Sequence, residues 1–342
     1  MTFSKIKKTS GMYRKWFLFF LIGIVIITIR SANHPFKLSE HYQIGDIYMG
    51  IRLRGTVELP PNQIKGLKIG QLSGLAWDVD EKLLYALSDR GIIFHLRPFI
   101  KNHTLISVRV ISAYLLKNTQ GKTLRWRDAE GIVILKGHNG IKGDSQLLIM
   151  LEIGPRLALF TPYGKPLDNY TLPKTLQTWK NYASSNKILE SVTVHPIFGI
   201  ITAPEWPLKE ANKPYSLKGE HKITLYTLNK RQWILPAFPA KNSGVVALET
   251  LEDRSILILE RAFYSIYTPL VISLRRVWLS SCQSRTGLHS ESEQVAIFDN
   301  TQGWHIDNFE GLTHHQSGYF FMVSDNNHSR WQRTLLSYFE IQ

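Results

Sequence analysis

Two sets of acidic residues recur along this 342-residue chain at positions suited to chemistry. Glu130, Glu190 and Glu310 each open a short apolar run, with Ser73 and Val246 at the matching places in two further copies. Asp89, Glu152, Glu205, Glu260 and Asp325 each close the next apolar run. Carboxylates brought together at equivalent positions repel one another and take up protons more readily. A hard divalent cation with six to eight oxygen ligands relieves that repulsion, calcium above all. It would also make the site a receptor for phosphate and acidify a bound water. The expected ligands are Asp89, Glu130, Glu190, Glu310 and Asp325, with Glu152, Glu205 and Glu260 as further candidates.

The same acids have a competing reading as turn caps or partners of nearby arginines. Arg90 follows Asp89, Arg261 follows Glu260, Arg156 follows Glu152 by four residues, and Arg333 comes soon after Asp325. Arg156 and Arg333 are the expected substrate-binding residues, since a guanidinium grips an anionic ester with two parallel hydrogen bonds. They serve equally well as ties between neighbouring units through salt bridges or carbonyls.

Other catalytic signatures are missing from the sequence. Ser73 in GQLSGL does not make a G-x-S-x-G elbow. There is no HExxH pair and no phosphate-binding Walker loop. His314 and His315 are consecutive, so in a strand at most one points inward. The lone cysteine, Cys282, excludes an internal disulfide and a CxxC motif. A hydrolase built on this sequence would use metal-activated water rather than a serine.

The elements that must position these acids repeat as well. From Ser73 to Glu130, Glu190, Val246 and Glu310 the steps are 57, 60, 56 and 64 residues. A period near 50 residues made of short strands, with no helical pattern in the gaps, predicts an all-β propeller with about four strands per blade. Tyr48 to Leu59 alternates as a first strand, and Gln332 to Ile341 reads as a last one. Placing both in one blade closes the ring without open edges. Five recognisable units plus one composite blade predict six blades. Long polar stretches at 114–128, 136–146, 173–188 and 204–220 read as loops of the kind that contact ligands.

The ends set the domain organisation: residues 1–32 as a signal peptide or membrane anchor, 33–47 as a linker, and 48–342 as the propeller. Lys5, Lys7, Lys8, Arg14 and Lys15 precede an apolar run of 14 residues, Trp16 to Ile29. Such a run spans about 21 Å, less than a roughly 30 Å hydrocarbon core, which favours a signal peptide. Ser31-Ala32-Asn33 is a poor cleavage site, which favours an anchor at residues 16–29. Either way the body is exported, to the periplasm or beyond the cell, with the N-terminus inside. The net charge is +14, and residues 1–30 carry six cations and no acid, leaving +8 for the rest. A basic body suits an anionic small-molecule ester or phosphoester. Nucleic acid is not expected, for want of any recognition motif, and the membrane is met only through the N-terminal segment.

The ordered set LSGLAWD with LLYALSDRG (72–91), DAEGI (128–132), LEIGPRLALF (151–160), NKILESVTVHP (186–196), ILILERAF (256–263), and DNFEGL with VSDNNHSRWQRT (307–334) resembles the phytase-like family. That family is described by esterase-like activity of phytase. The resemblance implies a β-propeller, export and hydrolysis of phosphoric or other esters. Propeller phytases, more distantly, imply calcium at the mouth of the channel. The chain departs from the usual Glu-Gly pair at Ser73-Gly74, Glu190-Ser191 and Val246-Ala247. Two readings follow: an exported, calcium-dependent phosphoester hydrolase, and a non-catalytic propeller that binds a ligand or an envelope protein.

Overall fold

The computed structural model describes residues 33–124, 128–185, 187–209, 222–263, 268–284, 287–327, 329 and 331–342. The expected signal or anchor, Trp16 to Ile29, lies outside these residues. Among the described residues, no helix is long and apolar enough to cross a membrane. His34–Gln342 forms one compact unit, and it is a β-propeller of five four-stranded antiparallel blades.

Blade 1 holds Leu72–Asp78, Leu83–Ser88, Ile92–Lys101 and Thr104–Leu115, from the axis outward. Blade 2 holds Ala129–Leu135, Gln146–Leu151, Arg156–Phe160 and Pro166–Tyr170. Blade 3 holds Leu189–His195, Gly199–Pro204, Lys222–Thr227 and Gln232–Pro236. Blade 4 holds Ser243–Thr250, Ile256–Ala262, Val271–Ser284 and Gly287–Asp299. Blade 5 holds Asn308–Gln316, Tyr319–Asp325, Leu335–Ile341 and, as its outer strand, the N-terminal Ile51–Glu58.

The expected six blades are thus five. The composite blade is real: Leu336 pairs with Val57 and Phe339 with Leu53, so both ends of the chain close one sheet. It is not an additional blade, because its three C-terminal strands are already the fifth repeat. The stretch before it also joins this sheet. His34 pairs with Glu58, and Ser39 bridges to Trp304.

Each blade is buried on both faces, which explains why its second strand reads as an unbroken apolar run. Leu147, Leu148, Ile149, Met150 and Leu151 are all fully buried. Successive side chains point to opposite faces. Leu147, Ile149 and Leu151 therefore pack towards blade 1, while Leu148 and Met150 pack towards blade 3. Five apolar clusters fill the five interfaces between blades, and no central core is needed. This packing holds the inner strands together at the axis.

Candidate functional site

Every inner strand carries a β-bulge at the same place. Its pairing with the second strand slips by one residue between Leu72 and Gly74, Ala129 and Gly131, Leu189 and Ser191, Val245 and Ala247, and Phe309 and Gly311. The extra residues are Ser73, Glu130, Glu190, Val246 and Glu310, the five whose spacing marks the repeat. A bulge leaves one residue unpaired and re-aims it. These residues and their two successors in each blade line an axial cavity of about 10 Å³, room for a water at most. The small residue after the bulge has a separate cause. A Cβ on Gly131 would lie 3.1 Å from Glu190 O, and one on Gly74 would lie 2.7 Å from Ile132 Cγ2. The Glu-Gly pair therefore combines an aimed carboxylate with a close approach of backbones.

The second set of acids is fixed by register. The residues opposite the position before each bulge are Ser88, Leu151, Pro204, Glu260 and Ser324. One residue further on stand Asp89, Glu152, Glu205, Arg261 and Asp325. Glu260 is therefore one residue out of step, and a shift of one reverses the face. It is fully buried away from the other acids, where its Oε1 accepts from Phe238 N at 2.8 Å and its Oε2 from Arg275 Nε at 2.5 Å. In blade 4 the position of the acid belongs to Arg261.

The remaining acids meet at one mouth of the propeller. Glu130 is pushed well up by burial and then by the charges of Glu310, Glu152, Asp128 and Asp89. Glu152 is raised to about 8, by burial first and with Asp128 and Glu205 adding to it. Asp325 is raised to about 8 by burial and then by Glu310 and Asp89. Glu190 is raised well above the ordinary range by burial and by Glu205. Asp89 accepts a 2.7 Å hydrogen bond from Gln71 Nε2. Among the described residues, Arg261 and Lys187 are the cations paired with this group of Asp89, Asp128, Glu130, Glu152, Glu190, Glu205, Glu310 and Asp325.

Those two cations serve one side only. Arg261 Nη2 lies 3.1 Å from Glu205 Oε1, and its Nη1 pairs with Glu310 and with Asn308 Oδ1. Lys187 Nζ lies 2.6 Å from the same Glu205 oxygen. Burial alone would raise Glu205, but Arg261 and Lys187 outweigh it and hold the carboxyl below the ordinary range. Glu205 Oε2 is buried with no hydrogen-bond donor among the described residues, and the Glu190 carboxyl lies beside Glu205.

On the blade 2 side, Asp128, Glu130 and Glu152 place ligand oxygens within 4.8 Å of one another. Among the described residues no cation pairs with them, and the one donor to Glu152 is Ile188 N at 2.8 Å. Oxygens bound to one calcium lie within about 5 Å of each other, so this all-oxygen donor set fits that ion. Asp128 has φ +41°, a left-handed conformation rare outside glycine, and such positions cluster at functional sites. It opens the DAEG stretch, yet sits before the strand, where an alternating pattern gives no signal.

The two expected substrate-binding arginines lie apart. Arg156 pairs with Leu151 in register, at the mouth end of blade 2. It donates to Ile153 O at 3.5 Å and has no carboxylate partner among the described residues. Arg333 is half-exposed, 3.7 Å from Asp307 Oδ2 and 3.9 Å from Glu58 Oε2. It lines a 410 Å³ cleft with Lys68, Gln71, Arg90, Asn326 and Trp331, and Arg156 does not. The cleft adjoins the mouth, because Gln71 bonds both Asp89 and, through its backbone N, Asn326.

A family model described as "Phytase-like: Esterase-like activity of phytase" matches residues 67–328. No curated protein matches the chain. Similar solved structures include the extracellular domain of the putative one component system BT4673 from B. thetaiotaomicron, 12% identical with a TM-score of 0.35. That match covers 82% of this chain and 30% of the other, so the chain spans under a third of that relative. The β-propeller domain of Myceliophteria thermophila Cps50 (Swd1) is 10% identical with a TM-score of 0.38, over 91% of this chain and 99% of that one.

Proposed function

The chain belongs to the phytase-like family, and from that premise we propose that it is an exported hydrolase of anionic esters, phosphoesters foremost, with a calcium ion held at the acid mouth. The observation that carries this reading is the Asp128–Glu130–Glu152 group, whose oxygens lie within 4.8 Å of one another, with no cation paired to them among the described residues. These three residues would hold the ion, with Asp89 and Asp325 nearby. When bound, calcium supplies positive charge for an ester oxygen and acidifies a water.

The chain's own residues do the rest. Arg156, at the mouth end of the same blade and with no carboxylate partner among the described residues, binds and orients the anionic group. Asp325, raised to about 8 by burial and then by Glu310 and Asp89, stands at the same mouth and is the carboxyl suited to donate a proton to a leaving alcohol. Arg333 and Lys68 line the adjoining cleft, where the remainder of an anionic substrate rests.

The ion should stabilise the fold by mass action, because the unfolded chain cannot assemble its ligands. Calcium is expected to raise the melting temperature of the purified protein, and chelator to reverse the rise. An unchanged melting temperature would remove the cation from the reading. Export is tested by fusing alkaline phosphatase after residue 60: an active fusion supports it, and an expressed but inactive one opposes it.

A second reading, a non-catalytic propeller that binds a ligand or an envelope protein, draws on blade 4. There Val246 and Arg261 stand in place of both acids, so part of the mouth is tied structurally.

A further inference from the structure

Blade 4 departs from the repeat twice, and the two departures act together. Its bulge residue is Val246 where blades 2, 3 and 5 have glutamate. Its strand-end position is Arg261 where the other four blades have Asp89, Glu152, Glu205 and Asp325. Against a repeat with acid at both places, blade 4 loses two negative charges and gains a positive one.

Arg261 spends its guanidinium on both neighbours. It reaches Glu205 in blade 3 and Glu310 with Asn308 in blade 5, and its side chain is 11% exposed. Gly244 makes room for this contact: a Cβ there would lie 2.6 Å from Glu205 Cγ. Asn308 Nδ2 adds a 2.8 Å hydrogen bond to the same Glu310 oxygen that Arg261 holds. Glu205 and Glu310 are thus already oriented and neutralised without any ion. Nothing comparable reaches Asp128, Glu130 and Glu152 among the described residues.

We infer that Arg261 is a built-in counter-ion in the place of a second metal, so that the mouth takes one divalent cation on the blade 2 side and none between blades 3 and 5. This rests on the cation reading of the mouth proposed above. An arginine has fixed charge and no open coordination position, so it cannot activate water; it confines the chemistry to one side of the ring. Its role is positioning, and it holds Glu310 and Glu205 in fixed places.

The test is a calorimetric calcium titration of the metal-free, full-length protein and its variants. The wild type should bind one ion per chain. Glu152→Gln should weaken that binding at least tenfold, and Arg261→Lys should leave one ion. Arg261→Glu, which restores the acid of the other blades, should bind two. If Arg261→Glu is unfolded without calcium, the ions retained after refolding with calcium and gel filtration are counted instead, and two per chain are expected. Arg261→Gln should show a second, weaker ion and provides an independent reading. Two ions in the wild type, or one in both Arg261→Glu and Arg261→Gln, would overturn the inference while leaving the cation reading in place. No calcium binding by the wild type would overturn both.

Discussion

Arg261, on the second strand of blade 4, closes on Glu310, on the inner strand of blade 5. The pair is buried, so removing one partner leaves the other charge without water. Arg261→Gln should therefore cost about 3–5 kcal/mol in the metal-free protein. Arg261→Lys should cost less, because the charge stays although the two-pronged contact is lost. Urea denaturation in chelator measures both, and equal losses would argue against the charge as the cause.

Gly131 packs its backbone against the next inner strand, with Glu190 O and Val192 N at 3.1 and 3.2 Å from where a Cβ would sit. Backbone atoms of a packed strand cannot step aside. Gly131→Ala should destabilise by about 1–3 kcal/mol through overpacking. Chemical denaturation checks this. A neutral result would mean the blades tolerate a wider axis, as they already do at Ser191 and Ala247.

Calcium binding should strengthen with pH. Glu152 is raised to about 8 by burial and then by its acidic neighbours. A carboxyl with a raised folded value stabilises the fold while protonated, and that contribution is lost as pH rises from about 4 through 8. Metal ligands must be deprotonated, so an ion replaces the lost proton. The calcium-induced rise in melting temperature should be larger at pH 8 than at pH 5.5, and Glu152→Gln should flatten that difference.

His315 adds the opposite trend. Its ring packs against Trp77, Phe321 and Tyr338, and burial, then His314, lowers it to about 4. The unfolded imidazole protonates near pH 6.5. Its contribution to stability is therefore complete above 6.5 and is lost as pH falls towards 4. In chelator, His315→Phe should reduce the fall in melting temperature across that window. An unchanged acid limb would assign the fall to other groups.

The repeat was legible because the bulge places one residue per blade at the axis, and Ser73, Glu130, Glu190, Val246 and Glu310 keep that place in the sequence. The number of blades was not, since nothing local distinguishes a strand that closes the fifth repeat from one that begins a sixth. Glu260 looked like the fourth strand-end acid because it ends an apolar run as the others do. Every blade carries the same bulge, so nothing local marks the one-residue offset of Glu260, and only pairing with Val245 reveals Arg261 as the true equivalent. Asp128 and Lys187 lie outside the strands, where neither period applies. The DAEG sequence was the one available signal for Asp128.

The most direct measurement is hydrolysis of p-nitrophenyl phosphate by the purified protein, first with calcium, then with chelator, then with calcium restored, alongside Glu152→Gln. Hydrolysis should fall at least tenfold on chelation, return with calcium, and stay low in Glu152→Gln at every step. Hydrolysis indifferent to chelator, or none with calcium present, would contradict a calcium-dependent hydrolase.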